Sequence, residues 1–342
     1  MAHMSGKCHT ALSAKIVLAF VLLLTIISCN NEESDSPFAA ILKQQPFAPL
    51  TDSIRHEKNN DELYFRRAVL LNSNNLPEPA LEDFRRAWSL KKDERYAIAI
   101  SSLLIDKKPD SAIIFAKYAL KLLPKSILLQ MTLAHGYQVK NQADQALAIC
   151  DTILMQNPQQ VDAMKLRAEL YDIKGWKEIA IRQLETAYQL TPYDIELNYI
   201  LALKYAETSN KKVLVLCDSL IRIDSLDVHA EPNYYKGIYY SNLGDKQKAI
   251  NEFSEALRKD YYFLDGYIEK AAALYETKRY NDAVKTLQLA LTISPKFADA
   301  YYWLGKCLEA TGDKEQANLN YQKAYGLDGN LTEAKEGMDR TK

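Results

Sequence analysis

Two serine–lysine pairs stand at the spacing that lets an amine activate a hydroxyl: Ser89 with Lys92, and Ser209 with Lys212. Neither is accompanied by the Ser-Asp-Asn or Lys-Thr-Gly motifs that an acylating serine centre of this type needs, and the chain contains no G-x-G-x-x-G, Walker A, H-E-x-x-H or G-x-S-x-G segment. Five cysteines are present, Cys8, Cys29, Cys150, Cys217 and Cys307, with no C-x-x-C pair among them. Zinc-ribbon and dithiol redox chemistry therefore lack their ligand spacing. Beyond residue 28 the only histidines are His56, His135 and His229, far apart in the chain. The expectation is a protein with no catalytic residues, no metal and no cofactor.

Cys29 is the exception to this quiet picture. Lys7 and Lys15 precede Ile16 to Ile27, an uncharged apolar run of 12 residues, and the stretch "TIISCNNEES" then turns abruptly polar and acidic. As a helix that run reaches about 18 Å, short of a hydrocarbon core of about 30 Å, and it reads as a signal-peptide core over residues 1–28. Ile26-Ile27-Ser28-Cys29 resembles a bacterial lipobox. The resemblance implies that Cys29 becomes the mature N-terminus and carries the acyl chains, two or more of which anchor stably where one is marginal. Residues 29–37, polar and acidic, suit a flexible tether. Asn30 is not the aspartate of inner-membrane retention, and the acids that follow resemble the surface-export signal of Bacteroidota lipoproteins. The expected location is the outer membrane, on its periplasmic face or at the cell surface, with membrane contact through the N-terminal lipid only.

Composition narrows the rest. The 342 residues are 48% apolar and 25% charged, ordinary for a folded chain. Without Lys7 and Lys15, 41 basic residues face 44 acidic ones. No basic face is available, so a nucleic-acid partner is not expected.

From residue 61 onward one pattern recurs about every 34 residues. A small residue stands at Ala68, Ala134, Ala168, Ala202, Gly237, Ala271 and Gly305; three further on come Leu71, Tyr137, Tyr171, Tyr205, Tyr240, Leu274 and Leu308. A second set of alanines falls at Ala80, Ala112, Ala146, Ala180, Ala249, Ala283 and Ala317, and prolines punctuate the pattern at Pro124, Pro158, Pro192 and Pro295. Small residues on facing helix surfaces let two antiparallel helices approach closely, while larger neighbours fill the remaining space. Gly175, Gly244 and Gly312 fall where the turn between those helices is expected. The pattern resembles the tetratricopeptide repeat. The resemblance implies an all-α right-handed superhelical solenoid of about eight repeats over residues 61–330, with an N-terminal capping region over 38–60 and a polar C-terminal cap over 331–342. The fifth repeat departs most: Val213 and Leu220 replace alanines, and "DVHAEP" is added before the sixth.

In this family the first helix of each repeat lines a concave face. Carried onto this chain, the positions are Tyr199, Tyr234, Ile238, Tyr275, Glu276, Tyr302, Lys306 and Glu309, an aromatic groove suited to a protein or peptide partner with apolar anchors and some basic residues. Repeats two and three offer a more apolar stretch: Ala97, Leu104, Ile105, Met131 and Val139. Acids recur near seven of the eight first-helix starts, Leu128 being the exception, where a carboxylate complements the helix dipole. The Lys-and-Asn clamp for a terminal carboxylate is not found, and Lys165 is expected to face Glu169. Two functional readings follow: a lipid-anchored scaffold, or a structural subunit that forms a homo-oligomer or fixed complex. Asp-Ser/Thr sequences at Asp52, Asp110, Asp151, Asp218 and Asp224 resemble Bacteroidota O-glycosylation sites, and equally suit helix caps. Cys150, Cys217 and Cys307 read as small buried apolar residues.

Overall fold

The structure, a computed structural model, describes residues 37–342. The leader and Cys29 lie outside the described residues. Among the described residues there are 19 helices and no strand, the all-α architecture that the repeat spacing predicts.

The chain divides into two compact units between Ile149 and Cys150. The N-terminal unit opens with α1 (Ala39–Leu42) and α2 (Ala48–His56), continues through α3 (Asp61–Ser73), α4 (Pro77–Leu90), α5 (Glu94–Ile105), α6 (Pro109–Leu122) and α7 (Ile127–Val139), and enters α8 (Ala143–Gln156). The C-terminal unit comprises the rest of α8, then α9 (Val161–Ile173), α10 (Lys177–Leu190), α11 (Ile195–Glu207), α12 (Lys212–Ile223), α13 (Glu231–Asn242), α14 (Lys246–Lys259), α15 (Leu264–Glu276), α16 (Tyr280–Ile293), α17 (Ala298–Thr311), α18 (Lys314–Leu327) and α19 (Thr332–Thr341).

The small residues sit where close approach requires them. Ala68, Ala202 and Ala271 are fully buried, as are Ala80, Ala249 and Ala283 on the facing helices. Two glycines go further. A Cβ on Gly237 would lie 2.4 Å from the Phe253 ring, and one on Gly305 would lie 2.6 Å from Tyr321. Those absences of a methyl admit the largest side chains of α14 and α18 into the hairpin. Seven hairpin turns share one left-handed residue: Asn75, Asn141, Gly175, Ser209, Gly244, Lys278 and Gly312, with φ from 54° to 90°. Glycine marks only three of them, so the turn geometry comes from the hairpin and the residue type follows where it can.

A polar stitch also recurs, sixteen residues apart across a hairpin. In the N-terminal unit the buried Arg67 donates from Nε and Nη2 to Asp83 at 2.7 and 2.8 Å, and from Nη1 to Thr51 Oγ1 at 3.0 Å. In the C-terminal unit Arg167 donates to Gln183 at 3.0 Å and to Asp151 at 2.7 Å. Lys236 pairs with Glu252 at 3.1 Å and Asp218 at 3.2 Å. Each stitch draws one cation and two acceptors from three successive helices, so it ties one hairpin to its neighbour.

The fifth repeat keeps its predicted irregularity. Its second helix, α12, has 12 residues where its counterparts α10, α14, α16 and α18 have 14. The following link is latched: Asp227, itself left-handed at φ 53°, pairs with Arg258 and Lys259, each at 2.7 Å. At the other end α19 covers Tyr321, Gly337 approaching the ring as closely as Gly305 does from the opposite side.

Candidate protein-binding groove

The expected groove residues lie on α11, α13, α15 and α17, the first helices of four consecutive hairpins in the C-terminal unit. Apart from the exposed Glu276, all of them are half-buried. They gather into two aromatic clusters. In the first, the Tyr199 ring lies 6.4 Å from Tyr235 and 6.4 Å from His229. Tyr235 continues to Tyr234 at 6.0 Å, and Tyr234 packs edge-on against Phe263 at 4.9 Å. Ile238 stands one turn after Tyr234 on α13, half-buried. Burial pushes the Tyr199 hydroxyl up to about 12 and raises Tyr234 further, with the Glu269 and Asp265 carboxylates adding to the Tyr234 shift.

The second cluster surrounds a cation. The Lys306 ammonium lies 4.0 Å from the Trp303 ring centroid, 4.9 Å from Tyr275 and 5.6 Å from Tyr302. Trp303 in turn touches Tyr275 at 5.8 Å and Tyr302 at 5.9 Å, so the three rings form one continuous surface. Burial lowers the Lys306 pKa, and Arg340 lowers it too. The two groove carboxylates are already engaged. Glu276 pairs with Lys246 at 2.7 Å. Glu309 accepts from the Tyr321 hydroxyl at 2.6 Å and from Arg340 at 3.2 and 3.3 Å.

Several placements could not be read from spacing. Tyr235, Phe263 and Trp303 join the clusters from positions outside the expected groove set, Phe263 as the residue that precedes α15. The run Tyr301-Tyr302-Trp303 was the available signal. Glu269, half-buried beside Asp265, has its pKa raised by burial and by that neighbour. Two expectations need correction. Lys165 does not face Glu169, which is exposed; it reaches the start of α11, pairing with Glu196 and lying 3.9 Å from Asp194. Two carboxylates gathered at a helix N-terminus outweigh one on the same helix. The apolar stretch of repeats two and three is also divided: Ala97, Leu104 and Met131 are core residues, and Val139 is exposed. The recurring acids, from Glu62 to Asp299, do occupy first turns, as the helix-dipole reading requires.

The other chemistry-bearing residues are held apart from one another. Ser89 Oγ donates to the Arg86 carbonyl at 2.7 Å and Lys92 Nζ to the Trp88 carbonyl at 2.6 Å. Lys212 is paired with Glu185 at 2.6 Å, and Ser209 occupies a turn. Cys150, Cys217 and Cys307 are buried free thiols, pushed up to about 12, 12 and 11 by burial. Among the described residues no group of three or more His, Cys, Asp or Glu is placed to hold a metal. No described helix is long and apolar enough to cross a membrane.

Comparisons with known proteins agree with the repeat architecture. A family model described as tetratricopeptide repeat matches residues 103–170, and two further repeat models of that class match residues 271–312 and 298–331. The chain is 31% identical over 99 residues to heat shock protein STI1 of Saccharomyces cerevisiae, which covers 28% of this chain and 16% of that protein. It is 35% identical over 91 residues to small glutamine-rich tetratricopeptide repeat-containing protein 2 of the same yeast, 26% of each chain. This chain thus spans about a quarter or less of the length of these two curated relatives. Among solved structures, a tetratricopeptide repeat protein from Parabacteroides merdae aligns with a TM-score of 0.59 at 21% identity, over 72% of this chain and 98% of that one. The APC/C hetero-tetramer Cut9–Hcn1 aligns at 0.51 and 16% identity, over 91% and 64%. The chain carries tetratricopeptide repeats, and its fold is that of such proteins.

Proposed function

We propose that this protein is a lipid-anchored scaffold that holds a protein or peptide partner against the first helices of its C-terminal unit, at the outer membrane. The observation that carries this reading is the set of half-buried tyrosines on four successive first helices, Tyr199, Tyr234, Tyr275 and Tyr302. Tyrosine supplies a large apolar face with a polar edge, the combination enriched where proteins grip one another. The engaged catalytic-type side chains and the interaction-type repeat support a binding role over a chemical one. Anchoring through Cys29 and a setting in envelope assembly, secretion or recruitment of cell-wall enzymes rest on the lipobox-like sequence. Cross-linking in the native envelope followed by mass spectrometry tests the groove. The Tyr234→Ala/Tyr302→Ala double variant should lose the partner captured by the parent chain while keeping its helical signal. Unchanged capture would sink the groove reading.

A second reading, a structural subunit of a fixed complex or homo-oligomer, is favoured by one feature. The links after α10, α12 and α14 expose Tyr193, Leu226 and Tyr262 at 93%, 78% and 74%. Cut9–Hcn1, of similar fold, is itself a hetero-tetramer. Light scattering over a concentration series decides between the two readings: a discrete oligomer that persists on dilution selects this one.

A further inference from the structure

Lys306 differs from four other cations of this unit that are paired with carboxylates. Lys246 is paired with Glu276, Lys165 with Glu196, Lys204 with Asp172 and Arg340 with Glu309. Among the described residues Lys306 has no carboxylate within ion-pair distance, although Glu276 and Glu309 are close enough to act on it through space. Both are committed elsewhere. What surrounds the ammonium is the π surface of Trp303, Tyr275 and Tyr302. Rings attract the cation and fix its position, but they take none of its three N–H donors along a hydrogen-bond axis. The result is a pre-positioned, partly dehydrated positive charge set in an aromatic surface.

We infer that Lys306 is the docking point for a single acidic side chain of the partner, with an apolar residue beside it lying on Tyr275, Trp303 and Tyr302. This rests on the groove reading above and gives the partner a chemistry. A carboxylate here forms a charge-assisted hydrogen bond on an ammonium already stripped of part of its water, where such a bond is stronger than on the open surface. The surroundings also limit the length of the acidic element. The Glu333 and Glu336 carboxylates of α19 act on Tyr302 through space and disfavour a second negative charge there. The fitting segment therefore has one acid among apolar residues, not an acidic tract. A side-chain carboxylate and a chain-terminal one share this chemistry, and α15 and α17, which carry Tyr275 and Lys306, contain no asparagine to grip a terminus with two-fold geometry.

Random linear peptides displayed in two formats, internal between fixed flanks and with a free C-terminus, provide the probe for the purified soluble chain. Selected internal segments should carry one Asp or Glu next to an aromatic or aliphatic residue. Their binding should fall at least about tenfold in Lys306→Gln and be largely restored in Lys306→Arg. Enrichment only of free C-termini would overturn the side-chain assignment. Segments that lack an acid, or that bind Lys306→Gln as well as the parent, would overturn the inference while leaving the groove intact. If the parent chain selects nothing, both the inference and the groove reading fall. Circular dichroism of each variant separates loss of contact from loss of fold.

Discussion

Lys278 occupies a left-handed turn, φ 60°, at the position where Gly175, Gly244 and Gly312 occur in other hairpins. A side chain in that conformation costs about 1–2 kcal/mol, partly offset by the extra freedom that glycine has in the unfolded chain. Lys278→Gly should therefore raise stability by up to about 1 kcal/mol, read from urea unfolding; a loss would show that the lysine makes a compensating contact. Glu269 illustrates a different residue-scale cost. Burial, with Asp265 beside it, raises its pKa above the ordinary glutamate value. A folded-state pKa above the unfolded one means that the native protein binds the proton more readily. Stability then falls as pH climbs through the window between the two values. Glu269→Gln removes that loss, so its melting temperature should exceed the parent's at pH 7, with the difference shrinking as pH falls through that window and gone below the unfolded glutamate pKa. A difference independent of pH would mean that the effect comes from packing. The small residues and the three turn glycines were readable in the sequence because sterics leave few choices there. Ser209 and Lys278 were not, since nothing in their type announces a left-handed backbone; Asn75 and Asn141 carried a weaker signal, asparagine being the side chain that most readily adopts it.

At the scale of the helix pair, the polar stitch is the most informative feature. Arg67–Asp83, Arg167–Gln183 and Lys236–Glu252 occupy equivalent sites. The next equivalent pair is Lys270 with Thr286, where the acceptor is reduced to a hydroxyl that donates to the Asp282 carbonyl. Lys270 is left without an ion pair among the described residues, and burial lowers its pKa. Thr286→Glu should restore the bond and stabilise by about 1.5–3 kcal/mol, the range for hydrogen bonds to charged groups. The gain should vanish in a Lys270→Met background; persistence there would show that glutamate helps for another reason. The stitch escaped the sequence reading because its members change type from repeat to repeat, and only their spacing of sixteen is constant. Hairpin period, by contrast, was legible throughout, including the irregular α12. For the groove, spacing named the helices and tyrosines, but it could not foresee that Ala97, Leu104 and Met131 turn inward or that Trp303 joins Lys306. Those outcomes depend on which neighbour leaves room.

For the whole molecule, the described residues form two units of stacked hairpins. The proposed lipid attachment at Cys29 makes a prediction at this scale. Two or more acyl chains, at about 0.8 kcal/mol per buried methylene, hold a protein on a membrane where a peptide alone would leave. Cys29→Ser expressed in the native host should move the protein from the membrane pellet to the soluble fraction or leave it as uncleaved precursor; mature protein still in the pellet would reject the anchor. The latched link around Asp227 and the short α12 carry a consequence for how such a chain assembles. Near-identical hairpins are exposed to pairing out of step, each able to settle beside the wrong sibling, a hazard common to repetitive chains. Val213 and Leu220 in place of alanines, with a link that closes onto Arg258 and Lys259 through Asp227 and onto Tyr199 through His229, distinguish α12 from the other second helices. This irregular hairpin acts as an address mark, fixing the order in which otherwise interchangeable units come to lie.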